Sequence, residues 1–243
     1  MRKIFIILML SVFSIVTAHP FKSEKELYEY YAEIDKKIFA EKNKPIIRKK
    51  YPRKLSDKEL EQEQIPFSLK RYTVDEIVGN NKLVYNAFNY QLMSISQINE
   101  NNKEEGVIRT FDEDENLISI AYIENSKGVM GIYREYYPWG VLKNETPYYT
   151  SEINGKLKNY YPDGLLKEEY TYYNNKKEGL ATMYYESGQK FAIENYKNDL
   201  KNGDYYMYYE NGNLGMKAFF VNGKREGTIE FYEEDGKKIE KNK

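Results

Sequence analysis

The chain has 243 residues, of which 31% are charged, 41% hydrophobic and 16% aromatic, a composition of soluble folded proteins with one or two domains. Tyrosine supplies 26 residues, tryptophan one and cysteine none, so disulfides, thiolate nucleophiles and cysteine metal sites are excluded. A formal charge of −1 gives no field that would gather nucleic acid, and no nucleic-acid partner is expected.

In chain order, Arg2 and Lys3 precede an apolar run from Ile4 to Val16 that is followed by Thr17 and Ala18. This is the pattern of a secretory leader over residues 1–18, with Ala18 the last residue removed. The apolar run of 13 residues is short for a membrane-spanning helix. The expected location is therefore outside the cytoplasm, whether periplasmic, cell-surface or secreted, with no transmembrane span once the leader is gone.

Residues 19–42 read as an amphipathic helix. Ser23 and Glu26 form an S-x-x-E capping box, and Leu27, Tyr30, Tyr31, Ile34 and Ile38 recur at helical spacing. That apolar stripe packs on one face or end of the remaining chain, or takes a partner.

Residues 43–81 read as a basic linker and irregular segment, with a short helix from Ser56 stopped before Pro66. Lys42 to Lys54 holds seven basic and no acidic residues, and Pro45 and Pro52 prevent a continuous helix. Arg48, Lys49, Lys50, Arg53 and Lys54 form either a solvated run or a patch for anionic lipid or wall polymer.

The array occupies residues 82–240, with a degenerate copy at 82–105 and further copies starting near 106, 131, 155, 179, 203 and 227. Gly131, Gly155, Gly179, Gly203 and Gly227 are spaced by 24. Five residues after each glycine stand Tyr136, Tyr160, Tyr184, Tyr208 and Tyr232, and six after stand Tyr137, Tyr161, Tyr185, Tyr209 and then Glu233. Nine after stand Gly140, Gly164, Gly188, Gly212 and Gly236, the structural turns, where glycine reaches a left-handed conformation without steric cost. Seventeen after, the aromatics return as Tyr148, Tyr172, Tyr196 and Phe220. A second turn follows at Asn174 and Asn175, Asn198 and Asp199, Asn222 and Gly223. Each unit is thus strand, turn, strand, turn.

Strand residues alternate between faces. Positions two, four and six are mostly apolar, as in Tyr205, Met207 and Tyr209, and give one buried or sticky face. Position three is mostly polar, as in Arg134, Lys158, Thr182 and Glu230, so the other face is expected to be wet except for the tyrosines at position five.

The pattern G-x-x-x-x-Y-Y-x-x-G with a second aromatic strand resembles the MORN repeat, and more closely its bacterial variant form, found in exported proteins and YwqK-type antitoxins. The resemblance covers Gly106 to about Glu240 and is strongest over Gly155 to Gly236. It implies a mainly β fold, an elongated single-layer antiparallel meander of 24-residue hairpins preceded by the helix. Gly106 departs from the pattern, having Glu115 nine residues on, and Glu233 departs in the last copy; both look like edge copies.

No catalytic constellation emerges. The sole histidine, His19, lacks a second fixed ligand, and Asp112, Asp114 and Asn116 begin a calcium-loop pattern that fails at Leu117 and Ile123. Adjacent carboxylates such as Glu168 and Glu169 face opposite sides of a strand and cannot flank one bond. No metal, cofactor or enzyme activity is expected. The expected function is an exported scaffold that binds another protein through Tyr136, Tyr160, Tyr184, Tyr208 and Tyr232. The alternatives are an immunity or antitoxin protein that neutralises an effector, and an envelope lipid or glycan adhesin. For the position-five tyrosines, partner contact and self-packing stand even; the position-six tyrosines are expected to pack the sheet.

Overall fold

The computed structural model describes residues 21–47, 54, 56, 58, 73–86, 89–124 and 127–240. The leader, His19, Arg48, Lys49, Lys50 and Arg53 lie outside the described residues, as does most of the short helix expected after Ser56.

Helix α1 spans Glu24–Lys42. Ser23 caps it, its Oγ accepting from the Glu26 N–H at 3.2 Å, while the Glu26 carboxylate accepts from the Lys22 N–H at 2.7 Å. The box thus reaches one residue further back than its usual form. Glu24 and Glu26 in the first turn and Lys42 in the last suit the helix dipole. Leu27, Tyr31, Ile34 and Ile38 are its buried stripe.

The strands are β1 (Thr73–Val78), β2 (Asn81–Asn86), β3 (Leu92–Ile98), β4 (Glu104–Phe111), β5 (Leu117–Glu124), β6 (Gly128–Tyr136), β7 (Leu142–Tyr149) and β8 (Glu152–Ile153). Then come β9 (Gly155–Tyr160), β10 (Leu166–Tyr173), β11 (Lys176–Tyr184), β12 (Lys190–Lys197), β13 (Leu200–Lys201), β14 (Gly203–Tyr208), β15 (Leu214–Val221) and β16 (Lys224–Phe231). They form one antiparallel meander in chain order, with β8 and β13 as short additions to β7 and β12. The meander starts earlier than its glycine markers. β1 lies inside the stretch 43–81 that the sequence assigns to irregular chain, and it pairs with β2 from Thr73↔Asn86 to Val78↔Asn81.

Two kinds of turn generate the sheet. Gly140, Gly164, Gly188, Gly212 and Gly236 hold φ of 85°, 92°, 83°, 87° and 87°, closing three-residue loops that end in a left-handed residue. At the other edge, pairs such as Asn174 (φ 46°) and Asn175 (φ 66°) put two consecutive left-handed residues in a tight turn, with Asn and Asp tolerating what other side chains resist.

From Gly131 onward each repeat is also tied to the next at both edges. The hydroxyls of Tyr137, Tyr161, Tyr185 and Tyr209 donate to the carbonyls of Tyr160, Tyr184, Tyr208 and Tyr232, at 3.0, 2.7, 2.8 and 2.8 Å. The position-six tyrosines, expected to pack a thin core, are therefore edge ties. At the opposite edge the Asn175 N–H donates to the Ile153 carbonyl at 3.1 Å while its side-chain oxygen accepts from the Ile153 N–H at 2.7 Å. Asp199 does the same for Lys177, at 3.1 and 2.8 Å.

α1 lies across the middle of one face, where Ile34 and Ile38 join Val107, Ile120, Met130 and Tyr136 in one cluster. Burying each of these isoleucines stabilises by about 1.5–3 kcal/mol. A second cluster, Leu83, Tyr85, Leu92 and Ile95, sits on the N-terminal strands. The helix approaches closely because Gly131, at φ 77°, has no side chain; a Cβ there would fall 2.6 Å from Ile34 Cγ2.

Two glycine substitutions separate turn strain from helix docking. Gly188→Ala meets no atom within 4 Å, and its left-handed backbone alone should cost about 1–2 kcal/mol in urea unfolding. Gly131→Ala adds overpacking against Ile34 and should cost a further ~1–3 kcal/mol. Equal losses at both positions would rule out the close approach.

Candidate binding face

Residues opposite one another in the register share a face, so the pairing defines two rows running across the strands. One reads Ile95, Arg109, Ile120, Arg134, Glu145, Lys158, Glu169, Thr182, Ile193, Tyr206, Lys217 and Glu230. The other reads Ser94, Thr110, Ser119, Glu135, Asn144, Asn159, Glu168, Met183, Ala192, Met207, Met216 and Phe231.

α1 covers part of the first row, on the face whose position-three residues are mostly polar. The expectation of a wet face is thus corrected where the helix lies, and the reason is charge pairing. Asp35 forks onto Arg134, with Nη1–Oδ1 and Nη2–Oδ2 both 2.8 Å, and Glu145 takes the Arg134 Nε–H at 3.0 Å. Burial alone lowers the Arg134 pKa, but Asp35 and Glu145 together hold it above its usual value. The Phe39 ring lies 5.0 Å from the guanidinium. At the other end of the helix, Tyr31 Oη donates to the Asn154 carbonyl at 2.9 Å, and Tyr28 Oη accepts from the Lys156 N–H at 2.9 Å.

The position-five tyrosines all stand on this face but do not share one environment. Tyr136 is only 7% exposed, packed in the helix cluster with Lys42 Nζ 4.2 Å above its ring, so it is removed from the candidate contact surface. Tyr160 donates to Glu145 at 2.8 Å beside the helix, and Tyr184, Tyr208 and Tyr232 are half-buried on the stretch beyond it. That stretch also presents Leu180 at 51% and Phe219 at 45% exposure among Lys158, Thr182, Tyr206 and Lys217.

The opposite face satisfies its own groups. Tyr133 donates to Glu135 at 3.0 Å, Tyr170 to Glu168 at 3.1 Å, and Tyr196 to Glu194. Lys177 Nζ lies 3.8 Å over the Tyr170 ring, while Lys201 lies 4.8 Å over Tyr205 and bonds Glu194 at 2.6 Å. The cations and carboxylates a ligand would seek are already engaged there.

Lys54 docks on the β4–β5 turn, bonding the Glu113 carbonyl 4.0 Å from Asp114 Oδ1, so this member of the basic run is held by the sheet. In the same turn the Asp112 carboxylate accepts from the Asp114 and Asn116 N–H groups at 2.9 and 2.8 Å, a self-closed turn. Among the described residues no group of three His, Cys, Asp or Glu is placed to hold a metal, and no helix is long and apolar enough to cross a membrane.

The periodic edge ties and paired turns agree with comparison against known families: a model of the MORN repeat variant matches residues 153–175, 177–198 and 201–222. Residues 153–222 carry three consecutive MORN-variant repeats. MORN repeats are non-catalytic modules that commonly bind proteins or membranes. No curated protein matches this chain. Among solved structures, TarM aligns with 11% identity over 82% of this chain and 26% of its own, at a TM-score of 0.20. A variant of S. aureus TarM in complex with fondaparinux, α-GlcNAc-glycerol and UDP aligns with 12% identity over 82% and 27%, at 0.17. The chain thus spans about a quarter of those proteins' length, and at such TM-scores the likeness carries no argument.

Sequence reading missed the Asp35–Arg134–Glu145 triad; an acid inside the apolar stripe of α1 was its only signal. Arg134→Ala leaves two carboxylates beside the docked helix without their cation and should cost about 3 kcal/mol in urea unfolding. A loss below 1 kcal/mol would mean that the triad is solvent-screened.

Docking also sets an alkaline limit. Burial pushes the Tyr30 pKa from 10.0 to about 12 and raises Tyr31 further. Folded-state values above unfolded ones give stability that is complete below pH 10 and lost as pH rises through 12. The urea midpoint, followed with tyrosinate absorbance, should hold to about pH 10 and then fall; a flat profile through pH 12 would contradict it.

Proposed function

We propose that this repeat protein is an exported, non-catalytic scaffold that binds another protein through the sheet face beyond α1. Tyr160, Tyr184, Tyr208 and Tyr232 stand on the contact side with Leu180 and Phe219. One observation carries the reading: the same face already takes an amphipathic helix within the molecule, using a glycine recess at Gly131 and a charge fork at Arg134. The repeats continue that surface for three further units, with Lys158 and Lys217 in the row that Arg134 occupies. The complementary partner element is an apolar segment flanked by carboxylates. Tyrosines provide wide contact area at low entropy cost. Export rests on the leader pattern of residues 1–18.

An immunity protein that occludes an effector would use this same surface. A lipid or wall-glycan adhesin would instead use Arg48 to Arg53, with Lys54 already engaged by the β4–β5 turn.

The test is affinity capture from an envelope extract with the full chain, identifying the bound protein and measuring its Kd against variants. Leu180→Glu with Phe219→Glu should weaken binding at least about tenfold while leaving the melting temperature near wild type. Unchanged capture by that pair, together with loss on neutralising Arg48, Lys49, Lys50 and Arg53, would overturn the proposal for the adhesin reading.

A further inference from the structure

Arg109 and Arg134 occupy the same place in successive repeats, three residues after Gly106 and Gly131, and stand in the same cross-strand row. Both are buried, at 7% and 6% exposure. Their neutralisation differs. Arg134 has two carboxylates, whereas Arg109 Nη1 donates to the Lys44 carbonyl at 2.9 Å and no carboxylate bonds it among the described residues. The other four N–H donors of its guanidinium have no hydrogen-bond partner among the described residues.

Arg109 lines a half-open cavity of about 180 Å³ at the point where α1 ends. Pro45 and Ile47 form one wall, and Val78, Leu83 and Ile95 the other. The remaining charges at the cavity cancel, because Glu41 Oε1 is held by Lys44 Nζ at 2.5 Å. What remains is one cation in a mostly apolar hollow. Burial pushes the Arg109 pKa down, and the charge of Glu41 only partly opposes this.

An ion removed from water without a counter-ion is costly, and an anion that fits beside it recovers that cost. Guanidinium groups hold carboxylates through two parallel hydrogen bonds. The cavity is below the roughly 300–1,000 Å³ of drug-sized sites, which favours a single short chain over a diacyl lipid or a sugar polymer. We propose that this cavity binds a small aliphatic monocarboxylate, its carboxylate against Arg109 and its chain against Leu83, Ile95, Val78 and Ile47. The site is separate from the open sheet face and does not depend on that face binding a protein.

The test titrates the full chain with sodium octanoate, read by calorimetry and melting temperature. Octanol supplies the chain without the charge, and acetate the charge without the chain. Octanoate should bind saturably and raise the melting temperature by mass action, while octanol and acetate do neither. Arg109→Met should weaken octanoate binding at least about tenfold, and in the absence of ligand should melt no lower than wild type, since an apolar chain replaces an unpaired ion. Ile47→Glu, at an exposed position on the rim, should fold normally and weaken octanoate binding by placing a like charge at the mouth. The proposal is overturned if octanoate does not saturate, if acetate binds equally well, or if Ile47→Glu leaves octanoate affinity unchanged. The last result decides even if Arg109→Met fails to fold.

Discussion

A one-layer sheet has no opposing layer to bury its strands, so the integrity of this molecule rests on the seam between one repeat and the next. Two kinds of tie close these seams from Gly131 onward. A tyrosine hydroxyl reaches a carbonyl 23 residues ahead at one edge, and an Asn or Asp in a left-handed turn reaches back 22 residues at the other. Both reach an atom at a fixed offset, so a single inserted residue would break both. The unbroken spacing of 24 from Gly131 to Gly227 is the trace of that constraint. It also explains why Asn175 and Asp199 stand where Gly223 would satisfy the backbone: their side chains accept the N–H of the preceding turn, which glycine cannot do. Where the seam ends, so does the chemistry, since Glu233 replaces the position-six tyrosine in the last copy, beyond which no further repeat follows in the described residues.

α1 adds a constraint of another kind. Ile34 and Ile38 provide apolar burial, but many registers of a helix on a sheet would bury two isoleucines. The fork of Asp35 on Arg134 and the recess at Gly131 select one of them. A buried ion pair contributes modestly to stability and strongly to where things sit when only one geometry satisfies its hydrogen bonds.

The turns and the strand order were legible in the sequence because they are local: a glycine at φ 85° or an Asn pair announces itself. The strand-turn-strand-turn unit followed from the period, and the single-layer meander from the resemblance to MORN repeats. Faces were half legible. Polarity at Arg134 suggested water, whereas its solvation comes from Asp35, 99 residues away, and no local pattern carries such a pairing. The same blindness kept Tyr136 among the surface tyrosines when a helix covers it. β1, reading TVDEIV, has neither the glycine nor the tyrosines of the repeats, and its apolar residues, Val74, Ile77 and Val78, do not alternate along the sequence.

Because the strands are sequential, almost every tie joins near neighbours along the chain, whereas the hydrogen bonds from α1 to the sheet bridge 85 to 128 residues. Under tension applied at its ends, the two parts respond differently. Hairpins beyond the helix release singly, each adding roughly 80 Å of extended chain, while the strands beneath α1 give way only as a block. The strands beneath α1 thus form a stiff root, and the repeats beyond it an arm that would stretch in steps.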